Sequence, residues 1–487
     1  MSESPPELPP VRHRRSLAAA SPPIALGPLD GRYRGVVAPL IDHLSEAALN
    51  RERLHVEVEW LIHLTSHHVV PGAPTLSSEE RDHVRRIVDT FDADAVADLA
   101  ATERVTLHDV KAIEYLLKGR LAAAPEVLGE DTVLPAVSEL VHFACTSEDV
   151  NNLAYALMVQ GAVRQVWLPA ARALVGELAV IARDNAEVPM LARTHGQPAT
   201  PTTLGKELAV LTYRLRRQLR RIEAAEYLGK INGATGTYGA HLAAVPKADW
   251  FAVSRSFVEH LGLTWNPLTT QIEPHDWQAE LYADMARFNR ILHNLATDVW
   301  TYISLGYFAQ VRGMGTVGSS TMPHKVNPIR FENAEANLEI SSALLDTLGA
   351  TLVTSRLQRD LTDSTTQRNI GPAFGHSLLA IDNVRRGMAG LDVDRAAMAA
   401  DLDDAWEVLG EAIQSAMRAA GVAGVPGMDE PYERLKTLTR GRRITGDTLR
   451  SFVADLGLPD DVAARLAAMT PAGYTGAAAR LVAFLDD

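Results

Sequence analysis

Leu281 to Ile303 reads LYADMARFNRILHNLATDVWTYI, and its apolar residues fall at Leu281, Met285, Phe288, Leu292, Leu295, Val299 and Ile303. Steps of four and three put all seven on one stripe of an α-helix and approach a heptad. Such a helix is roughly 30 Å long or more and needs partners along its whole length. A second stripe, Leu204, Leu208, Leu211, Leu215, Leu219 and Ile222, repeats the pattern, with Gly229 as the expected C-terminal stop. A third helical stretch, 153–185, contains Pro169, where a kink or break is expected. EVPMLARTHGQPATPTTLG, 187–205, reads as a Pro/Thr/Gly-rich connection rather than a strand. The long segments from about Val141 to Arg386 therefore predict an all-α core of bundle helices.

At 487 residues the chain exceeds the usual domain size and is expected to divide. The boundaries fall into a flexible N-terminal tail at 1–25, an N-terminal helical domain at 26–132, a central long-helix domain at 133–391 and a C-terminal helical domain at 392–487. A formal charge of −13 repels nucleic acid, and the run RLRRQLRR at 214–221 reads as a solvated helix face. Cys145 is the single cysteine, so no intramolecular disulfide or multi-cysteine zinc site can form, and a cytoplasmic location is the default. No charge-free run of eighteen apolar residues and no secretory leader is evident.

Polar residues concentrate in the connections between long helices, where binding and catalytic groups tend to sit. In TLHDVKAIEY, 106–115, Thr106 or Asp109 is expected to cap a helix, with His108 beside it. In HFACTSEDVNN, 142–152, Thr146 or Ser147 caps the next helix, helped by Glu148 and Asp149 in its first turn. In RTHGQPATPTT, 193–203, Gly196 frees the backbone beside His195 to approach a ligand. In GSSTMPHKVNP, 318–328, Asn327 suits an N-cap and Pro328 the first helical position. Gly318, Ser319, Ser320 and Lys325 are left over, and together they supply backbone N–H groups and a positive charge, the parts of an oxyanion site. The spacing is not that of a P-loop, and no HExxH zinc motif is present.

That last segment resembles the signature loop of the fumarase/aspartase superfamily, GSSxMPxKxNP, with every fixed position filled. PLDGRY (28–33), HDVKAIEY (108–115), HFACTSEDVNN, RTHGQPATP, GKINGATG (229–236), TTQIEPHDW (269–277) and SRLQRDLTDST (355–365) resemble the bacterial type of adenylosuccinate lyase. The resemblance runs from about residue 26 to the end; the N-terminal tail lies outside it. It implies a three-domain, all-α fold whose long helices form a twenty-helix core in a homotetramer, with each site built from three chains. It also implies cofactor-independent release of fumarate from adenylosuccinate, giving AMP, and from SAICAR, giving AICAR, both in purine synthesis.

The same resemblance assigns roles. Ser319 is the expected general base and His195 the general acid; an imidazole suits giving a proton to a leaving nitrogen. Lys325 and Asn327 would face the carboxylate end, and His108 would hydrogen-bond substrate. Arg32, Tyr33, Ser364 and Arg368 correspond to contacts with the nucleotide half, where Arg can fork onto phosphate oxygens. Asp109, Thr146, Ser147, Gln271, Ser320, Asn333 and Arg359 match further binding positions. Leu107 departs from the polar residue frequent before the histidine, so a side-chain contact is lost there although the backbone could serve. Two other readings stand beside this one: another lyase of the superfamily, such as argininosuccinate lyase or fumarase, and a non-catalytic helical scaffold.

Overall fold

The computed structural model describes residues 15–16, 26–310, 326–439 and 444–486, and among these the chain is overwhelmingly helical. The opening stretch lies in one helix, Asp276–Ser304. Its stripe residues from Leu281 to Val299 are all buried, with Ile303 partly so. The six residues of the second stripe are likewise buried along the Leu204–Glu223 helix. Periodic apolar spacing was a sound guide because each stripe is the face a helix must hide.

Three local expectations are corrected. The Leu204–Glu223 helix ends well before Gly229, which sits in a two-residue strand, Leu228–Gly229, parallel to Thr264–Trp265. A Cβ at Gly229 would lie 2.5 Å from Leu153 Cδ2, so this glycine serves close packing rather than a helix stop. The connection at 187–205 is a hairpin with two short antiparallel ladders, Pro189–Met190 with Thr202–Thr203 and Arg193–Thr194 with Gln197–Pro198. Before the Ile329–Leu352 helix, the Pro328 carbonyl accepts from the N–H groups of Phe331 and Glu332. Pro328 is therefore the cap, and Asn327 stands one residue outside it.

Pro169 produces a change of helix type. The Ser147–Gly161 helix passes through a π-helical turn, Ala162–Trp167, and resumes as Leu168–Asp184, with the Leu168 N–H reaching back five residues to Val163. The wider turn accommodates a proline that has no N–H to donate. The continuous Ser147–Asp184 stretch is the one helix among the described residues long and apolar enough to cross a membrane when a few charges are tolerated. Its Leu153, Trp167 and Leu174 are packed fully inside the protein.

That turn places Trp167 in a buried polar chain linking four long helices. Trp167 Nε1 donates to Ser377 Oγ at 2.9 Å, Ser377 donates to Asn289 Oδ1 at 2.8 Å, Asn289 Nδ2 donates to Ser341 Oγ at 2.9 Å, and Ser341 donates to the Ala373 carbonyl at 2.7 Å. Each hydroxyl accepts one bond and donates one, so the chain closes without an orphaned group. All four side chains are fully buried. An apolar seam tolerates sliding by a turn, whereas this chain fixes one register among the helices.

By contact the molecule divides into two compact units, each made of three separate segments. One comprises Met1–Ala171, Gln218–Arg290 and Ala336–Asp382; the other comprises Arg172–Arg217, Ile291–Glu335 and Asn383–Asp487. The first contains the buried polar chain and a cluster including Leu54, Val58, Leu61, Phe91 and Leu117. The second has a cluster around Leu409, Ile413, Met417 and Leu449 and a smaller one at Leu191, Leu402, Ala405 and Val408.

Candidate active site

Ten of the candidate residues belong to the first unit: Arg32, Tyr33, His108, Asp109, Thr146, Ser147, Gln271, Arg359, Ser364 and Arg368. The second unit holds His195, Asn327 and Asn333. Ser319, Ser320 and Lys325 lie outside the described residues.

In the first unit the helix Asp109–Ala122 is capped by His108 itself, whose Nδ1 accepts the Lys111 N–H at 3.1 Å. The cap is thus neither Thr106 nor Asp109. Thr106 instead donates to the His108 carbonyl at 3.1 Å. Because Nδ1 accepts, the ring proton resides on Nε2, and half of the side chain is exposed for it to donate. Asp109 is gripped by Arg53 Nη2 at 2.8 Å, with Arg368 Nη2 at 3.7 Å. Burial opposes charge on Asp109, but the Arg53 guanidinium prevails and holds the carboxyl below its usual range. Leu107 closes the preceding helix in the left-handed region, φ 52°, with its side chain in solvent. Its N–H is taken by the Glu103 carbonyl at 2.8 Å, so only its carbonyl remains to serve a ligand.

From Arg53 a line of contacts runs through a second helix N-terminus. Arg53 Nε donates to Asn151 Oδ1 at 2.8 Å, Asn151 Nδ2 to Glu148 Oε1 at 2.7 Å, and Arg359 Nη2 meets that Glu148 oxygen at 2.9 Å. Arg359 Nη1 also donates to Gln271 Oε1 at 3.3 Å, and Gln271 Nε2 to the Ala234 carbonyl at 3.0 Å. The Ser364 N–H donates to Asp363 at 2.6 Å, and Arg368 Nη1 to Glu46 at 2.5 Å. Arg32 lies against the Tyr33 ring, 6.0 Å from its centroid, at the start of the Arg34–Val37 helix. Arg53, Arg359 and Arg368 thereby join segments far apart in sequence, each guanidinium meeting a carboxylate: Asp109, Glu148 and Glu46 respectively. The exposed His108 and the N-termini of the helices starting at Asp109 and Ser147 border this network.

In the second unit, His195 and Gly196 form the two-residue tip of the hairpin, with φ 53° and 75°. Positive φ at both positions is what a type I′ turn requires. The turn puts the imidazole in solvent at the tip. Its base is anchored by Arg193, which donates to Tyr307 Oη at 2.8 Å and Asp401 at 2.5 Å, while Tyr307 donates to Asp401. Burial, then the Asp401 carboxylate, pushes the Tyr307 phenol up to about 12, so it remains a donor. Asn333 accepts from Asn383 Nδ2 at 2.9 Å.

Strain gathers on the same segments. Nine non-glycine residues among those described have positive φ, and seven of them lie in or within two residues of the polar connections: Leu107, His142, Ala144, His195, Tyr238, His275 and Leu357. Backbone held in sparsely populated regions persists where surrounding contacts over-determine it. Arg53 escapes sequence reasoning as a member of this region, and Asn151 and Lys230 enter it only as parts of quoted segments. Glu148 and Asp149 carry a local signal as first-turn acids, Asp149 closing a capping box with Thr146.

Comparison with known proteins agrees over nearly the whole chain. Residues 31–339 match the family described as Lyase, and residues 355–475 match the one described as Adenylosuccinate lyase C-terminal. The chain is 48% identical to adenylosuccinate lyase of Escherichia coli (strain K12) over 458 residues, covering 94% of this chain and 98% of that protein. It belongs to the adenylosuccinate lyase family. The adenylosuccinate lyase of Haemophilus influenzae is 46% identical over the same shares of both chains. Two solved structures share the fold: a fumarate lyase from Mesorhizobium sp. BNC1, with TM-score 0.72, 19% identity and coverage of 92% and 96%, and a 3-carboxy-cis,cis-muconate lactonizing enzyme from Pseudomonas putida, with TM-score 0.68, 21% identity and coverage of 91% and 95%. The chain is an enzyme of the lyase class, with the all-α fold of the adenylosuccinate lyase family, and acts on small molecules.

Proposed function

We propose that this enzyme eliminates fumarate from adenylosuccinate to leave AMP, and from SAICAR to leave AICAR, without a cofactor. One observation carries the substrate assignment: the near-full-length identity to the Escherichia coli adenylosuccinate lyase, extending through the C-terminal region that the family description names. Arginines such as Arg32, Arg359 and Arg368 are the side chains that recognise such a ligand, which bears two carboxylates and a phosphate. Arg32, Tyr33, Ser364 and Arg368 take the nucleotide phosphate end, while Thr146, Ser147, Gln271, Asn333 and Arg359 hold the rest, with Asp109 beside Arg368 at 3.7 Å.

In the reaction Ser319 removes the proton from the carbon next to a carboxylate, and the electrons pass into that carboxylate as a dianionic aci form. Ser320, Lys325 and Asn327 stabilise this charge. Its collapse breaks the carbon–nitrogen bond, and His195 protonates the departing nitrogen. The exposed imidazole at a stiff hairpin tip supports this role, since it can reach a ligand. His108 donates through Nε2. The enzyme works as a homotetramer of D2 symmetry with a twenty-helix core, each site drawing on three chains, in the cytoplasm. The exposed Val210, Tyr213 and Trp300 on the long helices supply apolar surface for such an assembly. Domain limits near residues 132 and 391 belong to the same reading.

The test offers adenylosuccinate, argininosuccinate and malate separately to the purified enzyme and follows fumarate. Rapid release from adenylosuccinate alone is expected; preference for either of the others overturns the substrate assignment.

A further inference from the structure

The Asp149 carboxylate is fully buried and accepts from four donors on two different connections. On its own side it takes the Thr146 N–H at 2.8 Å. From the 229–236 connection it takes Lys230 Nζ at 2.8 Å and the N–H groups of Asn232 and Gly233 at 2.9 Å and 3.0 Å. Lys230, also fully buried, lies in an ion pair with no exposure on either side chain. One turn further on, Asn152 completes the seam: its Oδ1 takes the Lys230 N–H at 2.9 Å and its Nδ2 donates to the Lys230 carbonyl at 3.0 Å.

A buried ion pair is costly to assemble, and well-packed apolar residues of similar volume often stabilise a fold as much or more. Stability alone is therefore a weak reason for this pair. Its geometry offers another, because one connection that it ties leads into groups read above as substrate contacts and the other braces a third. Thr146 and Ser147 follow directly from the first. The second presents the Ala234 carbonyl that orients Gln271, which in turn meets Arg359. The first connection is also strained, with His142 and Ala144 at φ 58° and 59°, and needs to be held.

We propose that Asp149 and Lys230 are positioning residues: a buried charge clamp that sets the spacing between the 146–147 and 232–236 connections and so aligns Thr146, Ser147 and Gln271 on substrate. The proposal rests on the reading of those three as substrate contacts. A neutral amide at 149 keeps one acceptor oxygen but turns an N–H₂ donor toward one of the clamped N–H groups, so the two connections can no longer be held at once.

The experiment compares the wild type with Asp149→Asn, Lys230→Met and the double variant in thermal unfolding, steady-state fumarate release and backbone hydrogen exchange. Each single variant leaves one buried charge unpaired or one buried donor unmatched and should lower Tm; the double variant, with no buried charge, should regain the part of that loss due to the charge. Despite that recovery its kcat/KM for adenylosuccinate should stay about 10- to 100-fold below wild type. The amides of Thr146, Asn232 and Gly233 should exchange slowly in the wild type, although they lie outside regular helices, and faster in the double variant. Recovery of kcat/KM together with Tm would reduce the pair to a structural element and overturn the proposal. Fast exchange of these amides in the wild type would overturn it without any variant. If the wild type releases no fumarate, the catalytic reading falls while the exchange measurement still decides the clamp.

Discussion

Nδ1 of His108 accepts the backbone N–H of Lys111 at 3.1 Å, so one imidazole both caps a helix and keeps its Nε2 proton for a ligand. The two duties can be separated. His108→Asn retains a strong capping side chain and should leave denaturant stability nearly unchanged, whereas His108→Ala should lose about 1 kcal/mol. Both should impair fumarate release. Full activity in the Asn variant would show that Nε2 has no role with substrate.

His195 sits where asparagine is also comfortable, since positive φ at a hairpin tip suits both. His195→Asn should therefore fold with an unaltered unfolding midpoint and lose about 10²- to 10⁴-fold in kcat. A variant within a few-fold of wild type would remove His195 from the acid role.

How much of this was legible in the sequence depended on the range of the interaction. Helices were read from stripes such as Leu281 to Ile303 because burial of one face imposes a local period. The 193–198 hairpin was missed because its strands are two residues long, too short for alternation to register. His108 as a cap was missed because imidazole is a rare capping group, and the shorter Thr106 and Asp109 beside it are the usual ones. Arg53 and Lys230 carry no local pattern, and Glu148 only that of a first-turn acid; their charge partners lie tens of residues away, and only the folded chain brings them together.

His63 should make stability fall on the acid side. Burial, then the imidazoles of His67 and His260, pushes it from 6.5 down to about 4. Between those values the unfolded chain binds a proton that the folded one refuses, so stability declines as pH drops from 6.5 to 4. Integrated, the loss is about 3 kcal/mol. Urea unfolding of wild type and His63→Gln across that window should show a shallower slope in the variant; parallel slopes would contradict the assignment.

His142 works in the opposite sense. Burial disfavours its charge, but Glu57, bonded to Nδ1 at 2.6 Å, and then Glu114 raise its pKa above 6.5 overall. A raised folded pKa gives stability that is complete below 6.5 and is lost as pH rises through the folded value. Glu57→Gln should remove that dependence. An unchanged pH profile of unfolding would show that the imidazole is not charged in the fold.

The most direct test of the central claim is turnover of adenylosuccinate by the wild type and by Ser319→Ala, with fumarate and AMP both measured. The wild type should yield the two products in equal amounts, and the variant should lose at least about a hundredfold in kcat. Failure of the wild type to form both products, or near-normal turnover without the Ser319 hydroxyl, would contradict it.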